Sequence, residues 1–321
     1  MKHQRAVRYF LAGQQLAASG DKAAALERFR VALQLAPSQN YALALANVLM
    51  DLDRWHEAEA RLAEILQRDP TDAQANLMMA RIRSREGDVD EAILYYHRAI
   101  YGLWSGHPTV NRIAARFELI AFLEQHHYRQ LVVSELQQIR AELPDDPVQK
   151  ERAAALFLTH GMVADAADLY REAIHVNSRD AKAYAGLGQA LFLAGNYRDA
   201  APALHRAVAL APDDAASRTR LETNQAILAA DPSARGLNGT ERARRARNLL
   251  QRSLESLQHC APNPPAALVS SAQHALRTRP RADAADAEIG LAEEIWQERV
   301  HSCPQNLPEE VLARVFARLA Q

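Results

Sequence analysis

The chain has 321 residues, 48% of them apolar and 24% charged, and a formal net charge of −1. That balance supplies a core but no global field to draw in nucleic acid or an anionic membrane. Two cysteines, Cys260 and Cys303, are too few for a disulfide framework or a structural zinc site.

Lys2, Lys22, Lys150 and Lys182 are the only lysines among 38 basic residues, the rest being arginine. With so much Ala and Leu, this bias is read as the mark of a GC-rich, bacterial-type genome rather than of a ligand. Glycine (12) and proline (14) are scarce, which points to an all-α chain. The first stretch, MKHQRAVRYFLAGQQLAASG, sets basic residues ahead of apolar ones as a secretion signal does. Gln14-Gln15 interrupt it, and it fits a repeat helix instead. No window approaches the roughly 18 apolar residues that span a bilayer, so the expectation is a soluble, cytoplasmic protein.

One pattern then recurs to residue 214. A small residue falls at Ala25, Ala58, Ala92, Val132, Ala166 and Ala200, at intervals of 33, 34, 40, 34 and 34. A large one follows four positions later, at Phe29, Leu62, Tyr96, Leu136, Tyr170 and Leu204. Three further on stand Ala32, Ile65, Ala99, Ile139, Ala173 and Ala207. Pro37, Pro70, Pro144 and Pro212 close four of the six units, because proline cannot continue a helix. The third unit lacks its proline and runs into YGLWSGHPTV, where a longer loop or an extended helix end is expected over Tyr101–Pro108, with Trp104 tucked against a neighbour. The fourth has Ile120 and Val132 at positions that are small elsewhere, so its helices are expected to splay and the array to bend. The sixth, Ala181–Pro212, is the plainest: Tyr184, Leu187, Gly188 and Leu191 share one helix face, Ala200, Leu204 and Ala207 another, and Gly195-Asn196 turns between them.

Beyond Pro212 the pattern stops. Residues 215–230 read as a helix capping the exposed end of the array, and Asp231–Gly239 as a break. Four helices follow at about 240–259, 264–278, 283–302 and 308–320, set by their starts and apolar stripes and expected to form a small bundle.

These spacings resemble the tetratricopeptide repeat, whose period is about 34 residues. The resemblance covers roughly residues 5–214, with repeats at about 6–38, 39–72, 73–106, 113–146, 147–180 and 181–214. It implies a right-handed α-solenoid, followed by a cap and linker (215–236) and the bundle (237–321). It also implies that the first helix of each repeat lines a concave groove for an extended peptide or helix. The inward positions are then Phe10, Leu43, Leu77 and Phe117 as apolar contacts, with Gln14, Asn47, Arg81 and Arg85 as polar handles. The alternative is that the Phe and Leu residues only pack neighbouring repeats together. The Lys/Asn clamp that co-chaperones of this superfamily use for a C-terminal carboxylate is not matched, since Phe10, Gln14, Gln74 and Met78 occupy its positions.

Nothing else carries chemistry. There is no Gly-rich phosphate loop, GxSxG, HExxH or CxxC, and no metal or cofactor is expected. His126-His127 point too far apart to share a metal and read as a solvated helix end. Asp145-Asp146 and Asp213-Asp214 read as turns and helix starts. Cys260 and Cys303 close two helices of similar length and fall at one end of the bundle, yet a cytosolic chain is expected to keep them reduced. The run GTERARRARNLLQR offers Arg242 and Arg245 as a secondary contact for an acidic partner, but lacks the aromatics that stack bases. The leading expectation is a non-enzymatic scaffold for a protein or peptide partner. The alternatives are a self-associating or autoinhibited assembly using helix 308–320 and, last, an enzyme or nucleic-acid binder in the bundle.

Overall fold

Aspartate starts the helices and a left-handed residue turns them. Asp21, Asp72, Asp88, Asp146, Asp180 and Asp214 each precede a helix and accept a backbone N–H of its first turn through their side chains. Within the repeats, the turn between paired helices passes through a residue of positive φ: Gly20 (89°), Gly87 (80°), Gly161 (78°) and Gly195 (76°). In the second and fourth repeats that place is held by Asp53 (58°) and His127 (62°), where a side chain raises the backbone cost.

The computed structural model describes residues 1–303 and 310–320. Pro308 and Glu309, which the sequence gives to the last helix, lie outside them. The chain is all-α, of the helical-repeat solenoid class, and no β-strand occurs among the described residues. It divides into two compact units, Met1–Pro144 and Asp145–Gln321.

The first unit contains α1 (Lys2–Ala18), α2 (Lys22–Leu35), α3 (Gln39–Asp51), α4 (Trp55–Arg68), α5 (Ala73–Glu86), α6 (Val89–Tyr101), α7 (Pro108–Gln125) and α8 (Arg129–Glu142). The recurring small residues Ala25, Ala58, Ala92 and Val132 are all fully buried, and Phe29, Leu62, Tyr96 and Leu136 lie beside them in the core. After α6 the chain forms a loop rather than a longer helix. The Leu103 N–H donates to the Thr71 carbonyl (2.8 Å) and the Ala73 N–H to that of Leu103 (3.1 Å), pinning the loop to the start of α5. Gly102 permits this approach, since a Cβ there would lie 2.7 Å from the Thr71 oxygen.

The fourth repeat accommodates its larger residues in a way the sequence conceals. Ile120 and Val132 are fully buried, and Arg116 of α7, also fully buried, bridges to α8. Its guanidinium donates to Glu135 (2.5 Å) and Glu142 (3.1 Å) and lies 5.6 Å from the Tyr101 ring centroid. His97 on α6 reaches the other oxygen of Glu135 at 3.0 Å, and Arg112 pairs with Glu142 at 2.9 Å. Burial alone would push the Glu135 carboxyl up, but the bonds from His97 and Arg116 outweigh it and hold it below the ordinary value.

The second unit contains α9 (Pro147–Thr159), α10 (Val163–Val176), α11 (Ala181–Leu193), α12 (Tyr197–Leu210), α13 (Ala215–Ala230), α14 (Gly239–Cys260), α15 (Ala266–Arg277), α16 (Ala285–Ser302) and α17 (Glu310–Leu319). Close approach in the sixth repeat depends on two glycines: a Cβ on Gly188 would meet Leu204 at 2.6 Å, and one on Gly186 the Tyr170 ring at 2.2 Å. α13 packs on α12, and the buried Asn224 donates to the Tyr197 carbonyl (2.9 Å). One apolar core runs on from there, joining Leu191, Phe192 and Leu204 through Leu221 and Ile227 to Leu250, Leu254, Ile295, Leu312 and Phe316.

Candidate partner-binding face

The apolar residues proposed for the groove are mostly spent on packing. Leu43, Leu77 and Phe117 are 4%, 8% and 1% exposed. Phe10 is half-buried, its ring 4.6 Å from that of Tyr41 and 5.7 Å from that of Phe29. The reason is geometric: a large residue in the middle of a first helix meets the second helix of its own repeat and the first helix of the next. The exposed surface of these helices is mainly polar, with Leu11 of α1 and Val110 of α7 as its large apolar exceptions.

Gln14 on α1 and Asn47 on α3 are exposed, and neither side chain has a hydrogen-bond partner among the described residues. Each therefore keeps an amide donor and an acceptor for another chain. Arg81 on α5 is already engaged, donating bidentately to Glu118 of α7 at 2.6 and 2.9 Å. That bond keeps its guanidinium above the ordinary range. Arg85 lies 4.6 Å over the Trp55 ring and 3.7 Å from the Asp53 carboxylate. Glu118 was missed from sequence because its partner lies 37 residues away, a separation that matches none of the repeat intervals.

In the second unit the fifth repeat presents a carboxyl. Glu151 on α9 is pushed up to about 7, first by burial and then by the neighbouring Asp180 carboxylate, which caps α11 by accepting from Lys182 (2.9 Å) and Ala183 (3.1 Å).

The arginine-rich start of α14 is used inside its own unit. Arg242 pairs with Asp286. Arg245 donates to the carbonyls of Leu228 (2.7 Å) and Asp231 (3.2 Å), closing the end of α13, and to Glu241 (2.7 Å). Arg247 pairs with the buried Glu288 and donates to the Thr278 carbonyl (2.5 Å). Cys260 and Cys303, expected as free thiols, are joined in a disulfide with Cα atoms 5.6 Å apart. The parallel course of α14 and α16 brings their last residues to one end, within the range a bridge requires.

One set of side chains has metal-ligand spacing among the described residues: His56, Glu59 and Glu86, with ligand atoms within 4.8 Å of one another. Its carboxylates already hold Arg83, at 2.5 Å from Glu59 and 2.6 Å from Glu86. No helix among the described residues is long and apolar enough to cross a membrane.

Comparison with known proteins gives the fold its class. Tetratricopeptide repeat family models match residues 43–108 and 157–221, the second to third and the fifth to sixth of the repeats. These two stretches are tetratricopeptide repeats. No curated protein matches it in sequence. Among solved structures it is similar to YrrB, described as a tetratricopeptide-repeat protein with an unusual peptide-binding site. That likeness has 17% identity and a TM-score of 0.47, and covers 61% of this chain and 99% of that one. PilF of Pseudomonas aeruginosa matches at 15% identity and a TM-score of 0.47, over 70% of this chain and 98% of that one. The TPR2AB domain of yeast Sti1, in complex with pHSP90, matches at 15% identity and a TM-score of 0.30, over 68% of this chain and 96% of that one.

Proposed function

We propose that the chain is a non-enzymatic scaffold that holds an extended peptide or a helix of a partner protein against the first helices of its N-terminal repeats. The observation that carries this reading is the pair of exposed, unengaged amides at equivalent positions of successive first helices, Gln14 and Asn47, on helices whose apolar groove candidates Phe10 and Leu43 are turned into packing. Side-chain amides that both donate and accept suit a partner backbone, and give orientation without a strong demand on its side chains. Arg81 and Arg85 extend the face and would trade their present carboxylates for acidic groups on the partner. The test is affinity capture from the native organism with wild type beside a Gln14→Arg/Asn47→Arg variant, both checked for equal helicity. A partner held by wild type and lost from the variant supports the face; an unchanged partner list refutes it. Leu77→Arg would not serve, because a buried position reports on folding.

A second reading rests on α17. Its Leu312, Val315 and Phe316 are buried in the core of the second unit, Phe316 stacks on Trp296 with ring centroids 5.1 Å apart, and Arg314 lies 4.3 Å over the Phe192 ring of α11. Phe192 is the twelfth residue of a first helix, an inward position in this superfamily, so α17 covers part of the unit's own binding face. Removing residues 310–321 would expose that face; unchanged partner binding and oligomeric state after the deletion would refute this autoinhibited form. Location follows the disulfide. Bonds of this kind persist outside a reducing cytosol, so a cytoplasmic placement requires Cys260 and Cys303 to be thiols in the cell, which alkylation before lysis decides.

A further inference from the structure

We propose that a recess in the second unit is an oxyanion site that takes a phosphoryl group. The recess has a volume of about 570 Å³ and is lined by Arg198, Arg235 and Arg318, which come from three separate places: the first turn of α12, the segment after α13, and the end of α17. Three arginines thus meet in one concavity against two carboxylates, Asp199 in its lining and Asp231 behind Arg318, and arginines gathered in this way are the donor set that planar, bidentate phosphate recognition uses. The Arg235 guanidinium has no partner among the described residues. That of Arg198 makes only a long contact, 3.5 Å, with the Arg235 carbonyl, so neither is committed to an ion pair.

Arg318 is held differently. Its Nε lies 2.9 Å from Oδ2 of Asp231, a carboxylate that is 1% exposed. The other oxygen of Asp231 accepts from the Ser233 backbone N–H (2.8 Å) and hydroxyl (2.6 Å). A buried carboxylate thus fixes both Arg318 and Ser233 at the wall of the recess and leaves the terminal nitrogens of Arg318 for a ligand. The first turn of α12 forms part of the same wall, and its N-cap Asn196 makes no side-chain cap bond. Its backbone N–H groups add to the positive lining.

Asp199 also lines the recess and opposes an anion. It therefore supplies a prediction of its own sign: removing that charge strengthens binding. The ligand can come as inorganic phosphate or as a phosphate monoester, and the shared chemistry is the phosphoryl dianion.

The test is isothermal titration of the full-length chain with inorganic phosphate and, separately, with O-phosphoserine at fixed ionic strength. Saturable binding of either is expected. Arg198→Ala and Arg235→Ala, both exposed positions, should each weaken it about ten-fold or more, the worth of one hydrogen bond to a charged group. Asp199→Asn should tighten it, and Arg252→Ala, an exposed arginine elsewhere on α14, should leave it unchanged. Tighter binding of phosphoserine assigns the site to monoesters, and tighter binding of phosphate to the free ion. Absence of saturable binding of both, or binding unchanged in the Arg198→Ala/Arg235→Ala double variant with native helicity, overturns the proposal.

Discussion

Replacing Arg116 with Met tests whether the ion network is what holds the fourth repeat together. The side chain is 0% exposed and its guanidinium meets two carboxylates of α8. Met keeps the apolar stem and removes the charge. Glu142 retains Arg112 at 2.9 Å, but Glu135, 9% exposed at its side chain, is left with His97 alone. Removing one partner of a buried pair costs about 3–5 kcal/mol, and the surviving His97 contact puts the expectation at the lower end of that range. At roughly 2–4 °C per kcal/mol for chains of 150–250 residues, the melting transition that includes α7 and α8 should fall by about 10 °C. Circular dichroism on the full-length chain gives the transition, and hydrogen exchange localises the loss of protection to Arg112–Glu142. Arg116→Met/Glu135→Met removes both charges and should recover most of the loss. The Glu135 carboxyl is held below its ordinary 4.5 when folded. Its stabilisation is therefore complete above about pH 4.5 and is lost as the pH falls through the folded value. Wild type should lose more stability than Arg116→Met across that acid window. A single variant within 1 kcal/mol of wild type, or a double variant as unstable as the sum of two singles, would refute the reasoning.

Further outcomes follow from particular contacts. His127→Gly, at a left-handed position, should stabilise the first unit by about 1 kcal/mol, the backbone cost of a side chain there, read by urea unfolding. Gly186→Ala should destabilise by about 1–3 kcal/mol as overpacking against Tyr170, despite the better helix propensity of alanine; a gain in stability would show that the ring can move aside. Reduction of Cys260–Cys303, or Cys260→Ser/Cys303→Ser, should lower the stability of the second unit by about 2–4 kcal/mol, as expected for a closed loop of this length, and leave exchange in the first unit unchanged. Glu151 is raised to about 7 when folded against 4.5 unfolded. The folded state therefore binds the proton more tightly, and stability should increase as the pH is lowered from 8 toward 5; Glu151→Gln should remove that slope.

Most of the repeat architecture was legible because it rests on local chemistry. Alanine at Ala25, Ala58 and Ala92, prolines at the repeat ends, and Asp146 and Asp214 as helix starts each act within one hairpin. The face was less legible. Leu43, Leu77 and Phe117 stand at positions that the superfamily turns inward, and burial showed that here the neighbouring helices claim them; a sequence gives the angular position of a side chain, not the depth to which its neighbours cover it. The ion network of Arg116, Glu135 and Glu142 was hidden for another reason. An arginine on an apolar helix face gives no sign of which carboxylates on another helix it will meet. The same holds for the core shared by α11–α17, which joins residues more than 100 positions apart. The disulfide was geometrically foreseeable from helices of matched length, and the expectation against it came from an assumed compartment rather than from the residues.

The central claim is that Gln14 and Asn47 face the partner. Its most direct measurement is site-specific photocross-linking in living cells of the native organism. A photoreactive residue is placed at position 14, at position 47 and, as an outer-surface control, at the exposed Glu64 of α4. One protein joined to the chain from both 14 and 47, and absent from 64, is the predicted result. Adducts of equal yield from 64, or none from 14 and 47, would contradict the account.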